Sequence, residues 1–275
     1  MTTYTSLPED IRSLLVDYWK GSVKKVTFIG GGFTRAVKDS LRSCGVETID
    51  DTTIVGKNRY ETAALVCGNG LKEGLFTTDR CVLATGTTPA DALSFSPWSY
   101  RFNIPLLLVN NYALDSKTSG LMKEFDQVYV AGGEGVIPTG RLTSAGLRTD
   151  NVRRFAGSNR YSTALEISRA FVPTNTDDPA LPYHEDPCCG KVGFVSGFDK
   201  NYPDGLISSM LMGGLTYGEN CGPVLLINEG SMADTVLNYA SSLNAQYELT
   251  SVYYLGEISD QLIQYINIAC DCATV

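Results

Sequence analysis

One histidine, His184, serves all 275 residues. That scarcity leaves no imidazole set for zinc and at most one base for a Ser-His-Asp arrangement. Ser94 and Ser96 have no base near them in sequence. The eight cysteines never form C-x-x-C, which argues against a structural zinc site. Lys and Arg total 22 against 30 Asp and Glu, giving a net charge of -8. No cation excess exists to neutralise phosphates, so nucleic acid is excluded as a bulk partner, while a local basic site for an anionic ligand is not. No run approaches 18 apolar residues, so no membrane-crossing helix is expected. Met1 is followed by polar residues rather than a basic and apolar leader, the pattern of a mature fragment or a piece of a longer chain. Glu61, Asp91, Asp126 and Glu134 recur at no paired spacing that acid–base work demands. No catalytic group, metal or cofactor is expected.

What is present is an ordinary globular composition, 43% hydrophobic and 19% charged. The cysteines read as buried thiols or, in an oxidising compartment, as a few disulfides. Cys67 falls on the apolar face of a predicted helix with Ala63, Ala64 and Leu71, and is expected buried and unpaired. A bridge from Cys188 or Cys189 to Cys221 is a second possibility.

The chain repeats itself. Gly56-Lys57-Asn58-Arg59-Tyr60-Glu61-Thr62-Ala63 returns 101 residues later as Gly157-Ser158-Asn159-Arg160-Tyr161-Ser162-Thr163-Ala164. Pro89-Ala90-Asp91-Ala92-Leu93 is answered by Tyr202-Pro203-Asp204-Gly205-Leu206, and Pro105-Leu106-Leu107-Leu108-Val109-Asn110 by Pro223-Val224-Leu225-Leu226-Ile227-Asn228. A glycine-ended strand pattern occurs three times: Val26–Gly31, Val128–Gly133 and, more weakly, Val252–Gly256. Short β-branched or aromatic runs alternate with helical stretches throughout, which predicts βα units feeding parallel sheets. The expected division is residues 1–50 as the second half of one module, 51–150 as a complete module, and 151–275 as another. A proline-rich insertion interrupts the last at 173–190. About two and a half copies result, starting mid-module, so an upstream part is expected.

These motifs resemble the cell wall binding type 2 repeat. Its R-x-x-G-x-N/D-R-Y-x-T-A opening is matched in full from Arg154 to Ala164, and with Thr53 for the leading Arg in the first copy. The resemblance covers about residues 5–270. It implies repeated Rossmann-like α/β modules that anchor a secreted surface protein, without catalysis, to an anionic secondary cell-wall glycopolymer of a bacterium. It also implies contact with neighbouring modules of the same polypeptide, and no membrane insertion. Gly205 replaces Ala of the A-D-A-L-S stretch, and Glu257 stands where the third turn would have its second Gly.

Several residues are candidates for ligand contact, each with a second reading. Asn58 and Asn159 stand where helix N-caps belong, and Glu61 would complete a capping box. Arg59 and Arg160 lie in first helical turns, against the dipole. They require either an acid of the same unit, Asp91 or Asp204, or an anionic ligand. Tyr60 and Tyr161 wedge between helix and sheet or offer a sugar-stacking face. Gly30, Gly31, Gly132 and Gly133 make tight turns or an amide nest for anions. Arg154 carries the family's leading position, and Arg35 adds positive charge beyond the first turn. Two other functions remain open at this stage: an α/β enzyme acting on a nucleotide or sugar phosphate, and a structural surface-protein module whose ligand site has decayed.

Overall fold

The computed structural model describes residues 6–110, 114–172, 181, 190–197, 202–214, 221–230 and 232–271. The side chains of 48–52, 202–204, 207 and 209 lie outside that description, as do His184, Cys188 and Cys189. The opening segment contains α1 (Glu9–Ser13), a π-helical turn Leu14–Tyr18, β1 (Lys25–Ile29), α2 (Arg35–Ser43) and β2 (Thr48–Ile54). The first full unit contains α3 (Arg59–Lys72), β3 (Arg80–Thr85), α4 (Ala90–Arg101), β4 (Leu106–Val109), α5 (Ser116–Leu121), β5 (Gln127–Ala131), α6 (Thr139–Ser144) and β6 (Val152–Phe155). The second contains α7 (Arg160–Phe171), β7 (Lys191–Ser196), α8 (Tyr202–Gly213), β8 (Val224–Ile227), α9 (Ala233–Tyr247), β9 (Ser251–Leu255) and α10 (Asp260–Ala269).

The strands form three parallel sheets, ordered β1-β2, β4-β3-β5-β6 and β8-β7-β9. Parallel pairing requires crossovers, and the intervening helices supply them. Helices therefore cover both faces, and the central strands are apolar without alternation: Cys81–Thr85 and Val128–Ala131 are buried throughout. The strand before each G-x-N-R-Y motif pairs with the preceding sheet: β2 with β1, and β6 with β5. Sheet membership thus changes between 54 and 59 and between 155 and 160.

The two full units share a core. Helix α4 stays on its own sheet and also lies against α7, α8 and β8 of the second unit. Its Phe95 and Trp98 fill the space between Tyr129, Phe155 and Phe171. Trp98 stacks on Phe171 at a centroid distance of 5.6 Å, and Phe95 meets the same ring edge-on at 5.1 Å. Pro97 sits inside α4 and removes the amide that would bond the Leu93 carbonyl; the Ser96 hydroxyl donates to that carbonyl instead, at 2.8 Å. Gly205 of α8, the departure from the family pattern, leaves room for Leu93, whose side chain would come within 3.0 Å of any Cβ there.

Candidate functional site

The repeated motif builds the same local structure twice. Asn58 caps α3 by accepting from the amides of Tyr60 and Glu61, and Asn159 caps α7 by accepting from Ser162. The reciprocal capping box expected from Glu61 forms at Ser162, whose hydroxyl accepts from the Asn159 amide at 3.1 Å. Glu61 instead accepts from the Lys57 amide and pairs with Lys117 of α5 at 2.6 Å. Those contacts hold its carboxyl below the usual range, the Lys117 hydrogen bond contributing most. The Thr62 and Thr163 hydroxyls accept from the amides of Gly56 and Gly157, tying the motif back on itself.

Arg and Tyr of the motif grip the next βα turn. Arg59 Nη1 donates to the Gly86 carbonyl at 2.8 Å, and Arg160 Nη1 to the Gly197 carbonyl at 2.9 Å. The Tyr60 ring lies so close over Gly86 that a Cβ there would sit 2.4 Å from it; at Gly197 the figure is 2.3 Å from Tyr161. Both arginines therefore reach the carboxyl edge of a parallel sheet, facing the turn of their own unit, where open α/β sheets hold ligands. Gly86 and Gly197 went unnoticed in the sequence. Their signal was available: each is the single glycine ending the strand that follows a motif.

The acid partners differ from expectation. Asp91, buried at the start of α4, has its Oδ2 against Gly132, 2.9 Å from where a Cβ would stand. Gly132 holds φ +118°, which glycine tolerates. Burial pushes the Asp91 carboxyl up to about 6, and the charge that opposes this is Arg160, from the next unit. The pairing of Asp91 with Arg59 inside one unit is thus corrected: among the described residues Arg59 meets the Gly86 carbonyl and forms no ion pair with Asp91, whose helix docks on the second unit. The other acid, Asp204, has its side chain outside the described residues.

The glycine turns and Arg154 also have structural partners. The Gly30 and Gly132 amides donate to the Ile54 and Phe155 carbonyls at 2.9 and 2.8 Å, so neither is left for an anion nest. Gly133 accepts from the Val136 and Ile137 amides. Arg154 donates to the carbonyls of Gly132 and Ile137 at 2.7 and 2.8 Å and to Thr139 Oγ1 at 3.0 Å, and pairs with Glu134 at 3.1 Å. It braces the turn after β5. Glu134 also accepts from the Thr139 hydroxyl and amide. Arg35 is exposed and reaches Asp39 at 3.7 Å.

A cavity of about 710 Å³ opens beside the first motif, lined by Gly30, Gly31, Asn58, Arg59 and Thr62 together with the start of α4 and Leu206 of α8. It brings together four sequence-selected residues; of their second-unit counterparts, Gly132 lies against Asp91 of α4. Among the described residues no three His, Cys, Asp or Glu side chains converge as a metal would require, and no helix is long and apolar enough to cross a membrane.

The chain belongs to the cell wall binding domain 2 (CWB2) family, whose model matches residues 53–140 and 154–260. It is 32% identical over 122 residues to the N-acetylmuramoyl-L-alanine amidase LytC of Bacillus subtilis (strain 168), a match over 44% of this chain and 24% of that protein. The chain therefore spans about a quarter of that curated relative. Cwp8 from Clostridium difficile shares the fold at a TM-score of 0.73 and 19% identity, covering 98% of this chain and 42% of Cwp8. Cwp6 from the same organism matches at 0.61 and 25% identity, over 78% of this chain and 31% of Cwp6.

Proposed function

We propose that the chain is a non-catalytic binding segment that holds a secreted surface protein to the bacterial cell wall through an anionic secondary wall polymer. The observation carrying this reading is the twofold construction of one arginine-bearing clasp at the carboxyl edges of successive sheets. Two equivalent cationic positions suit a repeating anionic chain. Each clasp exposes polar groups, Lys57 and Asn58 at one and Ser158 and Asn159 at the other. The arginines' first duty is to hold the following turn, with ligand contact secondary, since a guanidinium retains donors beyond the one used on the glycine carbonyl.

Sedimentation with native walls and with purified wall polymer, across a salt series, tests this. Binding should occur and weaken with salt, as exposed charge contacts do. No binding to either preparation would overturn the proposal. Arg59→Ala separates the two duties: a purely structural arginine lowers stability and leaves affinity per folded molecule unchanged.

A further inference from the structure

One turn is built three times at the carboxyl ends of parallel strands, and its charge changes sign along the chain. Each copy leaves its strand through a glycine of positive φ: Gly30 at +89°, Gly132 at +118° and Gly256 at +86°. A helix begins a few residues later. The residue opening that helix is Arg35 in the first copy, Thr139 in the second and Asp260 in the third. The position after the turn glycine is held by Gly31, Gly133 and Glu257. Arg35, Glu257 and Asp260 are all exposed.

The motif that follows the first turn adds to the contrast. Ile29 pairs with Ile54, and the Gly30 amide donates to the Ile54 carbonyl, so the turn and the segment from Gly56 to Arg59 leave the sheet side by side. Gly30, Gly31, Lys57 and Arg59 accordingly line one cavity. Together with Arg35, the described residues place three cations at this edge. Arg35 is held loosely, 3.7 Å from Asp39 with its side chain 93% exposed, a pairing of little strength in water. At the second edge Ser158 stands where the first has Lys57, and Arg154 is engaged by the turn carbonyls and neutralised by Glu134. At the third edge Glu257 and Asp260 are joined by Glu229, which accepts from the Ser259 hydroxyl. The whole chain follows the same gradient: residues 1–59 carry nine Lys and Arg against seven Asp and Glu, and residues 60–275 carry 13 against 23.

We propose that the first of these edges makes the main contact with the anionic polymer, and that Arg35 and Lys57 direct the polymer to it. The inference rests on the wall-polymer reading and deepens it. Oxyanions of the polymer are drawn to the edge with three cations, while the acids of the third turn oppose their approach. Exposed charges act together within a Debye length, about 8–10 Å at ordinary ionic strength, so three cations on one rim make a field that a lone clasp arginine does not. Arg59 is tied to the Gly86 carbonyl. Lys57 has only its backbone amide tied, to Glu61, and its ammonium lies at the surface. Arg35 and Lys57 therefore report ligand contact without disturbing the clasp.

The test measures the affinity of the intact chain for immobilised, purified wall polymer by surface plasmon resonance over a salt series. Arg35→Gln and Lys57→Gln should each weaken binding about twofold to fivefold, the scale of one exposed charge pair, and make its salt dependence shallower. Both variants should melt at the wild-type temperature. Arg148→Gln removes the same charge from an exposed position just before β6, at the opposite, amino edge of its sheet, and should bind as the wild type does. Wild-type affinity in both edge variants overturns the inference and leaves the polymer reading standing. An equal loss in Arg148→Gln does the same, because net charge alone would then explain the effect. Failure of the unaltered chain to bind overturns both.

Discussion

Asp91 of the first unit is buried against Gly132, and the charge that offsets its burial belongs to Arg160 of the second unit rather than to Arg59 of its own. Its pH consequence follows from the direction of the shift. Burial raises the folded carboxyl from 3.8 to about 6, so between those values the folded state binds the extra proton. Stability from this group therefore increases as pH falls from about 6 to about 4, and ionised Asp91 costs up to about 3 kcal/mol at pH 7. Denaturant titrations of the wild type and Asp91→Asn should show wild-type stability gaining on the variant over that window. A flat or opposite difference would refute the burial argument.

Arg154 satisfies two carbonyls and a hydroxyl around the turn after β5. Arg154→Ala should cost about 2–4 kcal/mol, because acceptors sheltered from water lose charged donors. Arg154→Lys should recover little, since one ammonium cannot reproduce the planar fork. Urea midpoints at constant slope measure both.

The Tyr161 ring over Gly197 leaves no room for a methyl group. Gly197→Ala should destabilise by about 1–3 kcal/mol through overpacking. Adding Tyr161→Ala should remove part of that cost, so the double variant falls short of the sum by more than about 0.5 kcal/mol. Additive effects would mean that ring and turn do not touch.

Phe95 and Trp98 belong to one unit by sequence and to the core of both by position. Phe95→Ala should cost about 3–5 kcal/mol and lower both units' unfolding together. Calorimetry should show one transition moving. Two transitions, one unmoved, would show that the units fold independently.

Cys67 is buried without a disulfide, as its place on the helix predicted, and burial pushes its thiol up to about 11. Cys81 is raised by burial and then by Cys67 beside it. The thiolate is the reactive form. Labelling of both at pH 8 should therefore track unfolding, with native protein reacting far more slowly than urea-treated protein.

Much of this architecture is local and so was legible in the sequence. The motif repeats gave the unit count, alternation of short apolar runs with amphipathic stretches gave parallel α/β sheets, and Asn58 and Asn159 announced their helices because capping depends on two or three neighbouring residues. Arg59 and Arg160 could be placed at helix N-termini for the same reason. Their partners could not. Whether Asp91 answers Arg59 or Arg160 depends on which way α4 leans, and that is decided by Phe95, Trp98 and Leu93 finding apolar surface on the following unit, contacts remote in the chain. The same packing brought the Gly86 and Gly197 carbonyls within reach of the two guanidinium groups, and left the first junction with a cavity where the second carries a helix. Spacing along the chain records propensity and periodicity; which unit a helix covers is settled by the summed burial of side chains that sequence places far apart.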